Sequence, residues 1–171
     1  VDAEYSALTL GGTPRSEILT LGESAATLVV GASLNKAADL LKARSGVPDY
    51  RFRGLMGLDD CDAFTQALAE ISGNPVPDKI ERHRAQLQDA MVDSHFMIGF
   101  ARVALAADPD LLVMLSTFLL GMGAEIVSAV SPVRADSLAA LPLRSITIGD
   151  LEDLEKEARA KNAQLVVSNS H

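Results

Sequence analysis

The chain contains no tryptophan, a single cysteine and only 4 % aromatic residues. One cysteine excludes an internal disulfide and any cysteine-rich cluster site built by this chain alone. The three histidines beside it leave few ligands for a structural zinc. Basic residues are also scarce, with 15 Lys and Arg against 23 Asp and Glu and a net charge of −8. That balance argues against gripping a phosphate backbone, so no nucleic-acid partner is expected. Long hydrophobic runs are missing: Leu111–Leu120, with Ser116 and Thr117 inside it, falls short of the roughly 20 residues of a membrane span. No membrane partner is expected. The start carries no basic segment followed by an apolar one, so no signal peptide and a cytoplasmic location are expected. What remains is aliphatic. Across 171 residues, 48 % are hydrophobic and 22 % charged, enough for one good-sized domain or two small ones and too apolar for disorder.

Glycine, proline and aspartate punctuate the chain. Val1–Gly12 alternates weakly and breaks at Gly11-Gly12-Thr13-Pro14, a loop. Ser16–Leu21 predicts a helical turn or two. Ala26–Val30 is a short β-rich run closed by Gly31 and reads as a buried parallel strand. Ser33 then reads as the N-cap of a helix with Leu34, Ala37, Ala38, Leu40 and Leu41 on one face, stopped by Gly46. Val47–Phe52 predicts a weaker strand, and Asp59 or Asp60 starts a helix ending at Gly73. Asn74-Pro75-Val76-Pro77 is the clearest boundary. After it, Asp78 to about Met97 predicts a long helix with a charged first half. Its second half is apolar on more than one side and is expected to insert between packed elements. A regular rhythm follows: strand Arg102–Ala106, a helix from Asp108-Pro109 to Gly121 and Gly123, strand Glu125–Val130, and a short helix Arg134–Leu141. Strand Ser145–Ile148, helix Asp150–Asn162 and strand Gln164–Val167 complete it. Strands alternating with helices imply parallel sheets with right-handed crossovers and helices on both faces. Two Rossmann-like halves joined near Pro75–Pro77 are expected.

In such sheets ligands sit beyond the carboxyl ends of the strands. Those ends are Gly31-Ala32-Ser33, Ala107-Asp108-Pro109, Ser131-Pro132, Gly149-Asp150 and Ser168–His171. None carries a G-x-G-x-x-G turn or a Walker A lysine, and two place an Asp where a phosphate would sit, which disfavours nucleotides. Gly31-Ala32-Ser33-Leu34-Asn35 fails as a nucleophile elbow at its last position. Cys61 opens a helix, but Asp59, Asp60 and Asp62 oppose the dipole that would activate it, so an inert thiol is expected. His95, after Asp93 and Ser94, is expected to be a buried, hydrogen-bonded imidazole rather than a base, and His83 a surface residue. The helix Asp110–Met122 is apolar on nearly every side and is expected to need covering by a larger structure or a partner. With the stop just past a strand, it suggests a piece of something bigger. The residues alone thus imply an α/β pair with no catalytic, cofactor-binding or metal-binding residue of its own, leaving open a free-standing module for a small metabolite.

The stretch Glu81-Arg82-His83-Arg84-Ala85-Gln86-Leu87-Gln88-Asp89-Ala90-Met91-Val92-Asp93-Ser94-His95-Phe96 resembles the nitrogenase component 1 family. Further motifs agree in order: Gly11-Gly12-Thr13-Pro14, Glu70-Ile71-Ser72-Gly73-Asn74-Pro75-Val76-Pro77, Asp108-Pro109-Asp110, Gly121-Met122-Gly123-Ala124 and Ser168-Asn169-Ser170-His171. Within the family, Leu87–Met91 and Gly149–Glu155 are most similar to the β-type subunit of the iron-molybdenum cofactor assembly scaffold. The alternative is the β subunit of the molybdenum-iron nitrogenase, an oxidoreductase. The resemblance covers essentially the whole chain. It implies a fragment of a three-domain Rossmann-like subunit: residues 1–76 from the second domain, and residues 77–171 a long connecting helix and the first part of the third. It also implies a role in nitrogen fixation within a heterotetramer. The implied partners are the α-type subunit NifE, NifB and the nitrogenase Fe protein. The parent complex would carry iron-sulfur clusters and an iron-molybdenum cofactor precursor. The family's β-type cluster cysteines belong to its amino-terminal domain and Cys61 matches none of them, so no cofactor is expected on this stretch.

Overall fold

A computed structural model describes residues 12–169. The weak alternation of Val1–Leu10, Gly11 of the first loop, and Ser170 and His171 of the last motif lie outside the described residues. After a short helix α1 (Arg15–Leu19), the first unit comprises β1 (Thr27–Val30), α2 (Asn35–Ser45), β2 (Asp49–Phe52) and α3 (Leu58–Ser72). Strands β1 and β2 pair in parallel, Thr27 with Asp49 through Val30 with Phe52. The link Gly73–Pro77 leads into α4 (Asp78–Ile98). Next come β3 (Arg102–Ala106), α5 (Pro109–Gly121), β4 (Glu125–Ser131), β5 (Thr147–Ile148), α6 (Leu151–Ala160) and β6 (Leu165–Ser168). They form a four-stranded, all-parallel sheet in the order β5-β4-β3-β6, with α5 against one face and α6 against the other. The architecture is therefore α/β, with parallel sheets flanked by helices.

The core follows from the runs that build β3 and β4. Val103, Ala104 and Leu105 are fully buried, as expected of a central parallel strand covered on both sides. Val103 and Leu105 face Leu112, Val113 and Leu119 of α5, while Ala104 and Ala106 face Leu154 and Ala158 of α6. Helix α6 is held at its start by a capping box: Asp150 accepts from the N–H groups of Glu152 and Asp153, and Asp153 accepts from that of Asp150. The expected i,i+4 pairs Glu152–Lys156 and Glu155–Arg159 both form on its wet face.

Several expectations are corrected. The first unit is thinner than its sequence suggests. In β1 only Val29 is buried, and in α2 only Ala38, while Leu34 and Leu40 are about half exposed. Ser33 does not cap α2, because Leu34 occupies the cap and the serine is used elsewhere. Helix α3 starts at Leu58, one residue ahead of the aspartates, with Gly57 as its cap. Asp108 stands at the N-cap of α5 without a side-chain capping bond. The helix expected at Arg134–Leu141 is a 3-10 turn, Asp136–Ala140.

Two larger corrections concern α4 and α5. Helix α5 is covered within this chain: Leu112, Val113, Ser116 and Leu119 are buried, and Gly54 and Gly57 of the β2–α3 loop press on Met114 and Phe118 from the far side. Helix α4 has no buried residue. Instead of inserting, its second half presents Val92, Phe96 and Met97 to solvent, and Phe100 just beyond is 90 % exposed with a positive φ of 64°. His95 is likewise exposed, stacked edge-on against Phe96 rather than buried and hydrogen-bonded.

Candidate functional site

The reversal of strand order between β3 and β6 marks the crevice where such sheets bind ligands. Asp108 follows β3, and its carboxylate accepts a long 3.5 Å bond from Asn169 Nδ2 beyond β6. Asp108 stands at the start of α5, exposed and without a bond to the helix N–H groups. At the last residue of β4, buried Ser131 donates to the Val133 carbonyl at 2.9 Å. Beyond β5, the Asp150–Asp153 box closes the turn.

The end of β1 is closed from outside its own unit. Asp110, in the first turn of α5, reaches across to the turn after β1. Its carboxylate accepts from the Ser33 backbone N–H (3.2 and 3.3 Å to the two oxygens) and from Ser33 Oγ at 2.5 Å. Gly31 makes the approach possible: its φ is +101°, and a Cβ there would stand 2.5 Å from Asp110 Oδ2. Of the strand ends that sequence rules nominate for binding, those after β1 and β5 are thus closed by the chain's own carboxylates, Asp110 and Asp150. Alongside this latch a cleft of ≈ 440 Å³ opens between Ala32, Arg53, Val113, Thr117 and Leu141. Its two charged residues are already engaged, Arg53 with Asp60 at 3.7 Å and Asp110 with Ser33.

Cys61 lies on α3 beside a cleft between α3 and α4 that His83 also lines. Its thiol donates weakly to the Leu55 carbonyl at 3.5 Å. Burial pushes the thiol pKa up, and the charges of Asp60 and Asp62 push it further, so the thiol is held protonated and unreactive. Across the same cleft Arg84 grips Asp62 through a bidentate pair, at 2.7 and 2.7–2.9 Å, and holds that carboxyl below its usual range. Among the described residues no three His, Cys, Asp or Glu side chains converge as metal ligands.

Two structural groups escaped the sequence reading. Glu157 of α6 accepts from Lys161 Nζ (2.6 Å), Thr147 Oγ1 (2.5 Å) and Ser128 Oγ (2.8 Å), tying α6 to β4 and β5. These donors, Lys161 foremost, lower its pKa to about 2. Its signal was position: Glu157 sits between Leu154 and Ala158 on the apolar side of α6. For Asp110 the signal was the second acid of Asp108-Pro109-Asp110, one more than a cap requires.

Residues 1–171 match the family described as nitrogenase component 1 type oxidoreductase. Over 168 residues the chain is 41 % identical to the nitrogenase iron-molybdenum cofactor biosynthesis protein NifN of Bradyrhizobium diazoefficiens, covering 98 % of this chain and 36 % of that protein. It is 44 % identical over 171 residues to the same-named protein of Nostoc sp. PCC 7120, covering 100 % and 38 %. A solved structure of nitrogenase Cp1 at pH 6.5 superposes with a TM-score of 0.84 at 28 % identity, over 99 % of this chain and 40 % of that one. The chain therefore spans well under half the length of these relatives.

Proposed function

The chain belongs to the nitrogenase component 1 type oxidoreductase family, and on that premise we propose that it is a bracing segment of a NifN-type scaffold subunit serving iron-molybdenum cofactor biosynthesis. The single observation that carries the reading is its 41–44 % identity to NifN proteins along nearly its whole length. The ends of β1 and β5 support it, because Asp110 and Asp150 of the chain itself take up the N–H groups that a ligand anion there would use. In this reading residues 1–76 belong to a second Rossmann-like domain. Residues 77–171 supply a connecting helix and the opening of a third. The segment holds no cluster of its own. The parent would pair with NifE in a cytoplasmic heterotetramer that houses the precursor, receives it from NifB and is serviced by the nitrogenase Fe protein.

The test is genetic. The full-length protein carrying this segment is expressed in a nitrogen-fixing strain deleted for its NifN, and acetylene reduction is measured. Restored activity is expected. Accumulation of the protein without activity, or rescue instead of a strain lacking the molybdenum-iron β subunit, would overturn the assignment.

A further inference from the structure

We propose that the open edge of β4 is a docking slot for an extended, acidic segment of a partner protein. Strand β4 pairs with β3 along its length, but on its other side only Val130 and Ser131 find partners, in Thr147 and Ile148. Residues 125–129 have no strand beside them on that side among the described residues. The chain between Pro142 and Ser145 passes opposite and leaves a cleft of ≈ 660 Å³. Consecutive residues from Ile126 to Ala129 line it, so side chains from both sheet faces contribute, which places the cleft along the strand edge rather than on a face. The β3–β4 register slips at Val103/Ala104, so Val127 is the bulged residue of this open stretch.

An unpaired edge offers a row of N–H and C=O groups to any extended chain. Five residues at about 3.3 Å each give an edge of roughly 16 Å, a short strand's length. Charge selects the occupant. In a protein of net charge −8, this cleft gathers three cations, Arg102, Arg144 and Lys161, against one acid, Glu125. Arg102 is engaged by Glu125 at 2.8 Å and by the Lys161 carbonyl at 2.7 Å, and Lys161 by Glu157 at 2.6 Å. Arg144 has no ion-pair partner among the described residues. A second copy of the same edge would bring its own Arg102 and Arg144 against these, a like-charge juxtaposition. A strand whose alternate side chains are Asp or Glu meets the cations while its backbone completes the sheet. The proposal does not depend on the biosynthetic role above and survives or fails separately from it.

The test uses the full-length protein and two synthetic ten-residue peptides, one alternating Glu and Val, the other Lys and Val. Hydrogen exchange followed by mass spectrometry reads the amides of Ile126–Ala129, and fluorescence anisotropy reads affinity. The Glu peptide is expected to bind and slow exchange at the 126–129 amides that point away from β3, the Lys peptide to do neither. Arg144→Glu, on an exposed residue outside the core, is expected to weaken the Glu peptide at least tenfold. Equal binding of both peptides, no binding, or unchanged affinity in Arg144→Glu would overturn the proposal. So would slow exchange, in the full-length protein alone, at those amides of 126–129 that point away from β3, which would mean its own chain fills the slot.

Discussion

Removing the Asp110 carboxylate should loosen the joint between the two sheets, and the structure sets the size of the effect. Asp110 accepts bonds from Ser33 N and Ser33 Oγ. Hydrogen bonds to a charged group contribute about 1.5–3 kcal/mol when buried. This contact is solvent-exposed, so Asp110→Ala should cost roughly 1–2 kcal/mol after screening. For a chain of this length that is a fall in Tm of roughly 3–6 °C. Gly31→Ala should cost more, about 1–3 kcal/mol from its positive φ alone, plus the clash of a Cβ standing 2.5 Å from Asp110 Oδ2. Once Asp110 is alanine the clash disappears and only the backbone term remains. The double variant should therefore be more stable than the sum of the single losses predicts, by about 1 kcal/mol. Urea unfolding of the four proteins measures this coupling. Losses that simply add, or an Asp110→Ala protein as stable as the parent, would refute the latch.

Four further outcomes are expected. Glu157→Gln should destabilise by about 1–3 kcal/mol in urea, because it discharges the acceptor that Lys161, Thr147 and Ser128 share. The Glu157 carboxyl falls from 4.5 to about 2 in the folded protein, so its contribution is complete above pH 4.5 and lost as pH falls from there towards 2. Asp49, lowered from 3.8 to about 2 by Lys42 and Arg51, adds to the same acid limb, and thermal melts across that range should show it. Leu115→Asp, which places an unpaired charge against the core beneath α5, should prevent a cooperative melt; unchanged Tm would remove the burial argument. Phe100→Gly should raise stability by roughly 1 kcal/mol, since Phe100 holds a positive φ while almost fully exposed.

Element order was legible because punctuation was local. Gly46 and Gly73 stop α2 and α3 in left-handed conformations, Pro109 opens α5, and Asp150 caps α6, each where the residue type alone demands it. The family motifs were legible for the same reason, as short ordered strings. What the chain hid was tertiary. The apolar stretch of α4 looks internal, yet hydrophobicity cannot say which surface covers it, and within the described residues Ile98 meets the core while Val92, Phe96 and Met97 stay exposed. The over-apolar α5 looks unpartnered, but glycines at positions 54 and 57 bring backbone close enough to cover it. Ser33 reads as a cap because capping serines act within three residues, whereas its acceptor Asp110 lies 77 residues away. The open edge of β4 arises from how short β5 is, and strand length is what sequence patterns fix least well.

The central claim is that this segment braces a cofactor-handling scaffold and contributes no cluster ligand of its own. Iron and acid-labile sulfide, measured per chain after anaerobic reconstitution of the 171-residue polypeptide with iron and sulfide, test it most directly. The account predicts a colourless protein with both at background. Four irons bound per chain, with the matching charge-transfer absorption, would contradict it.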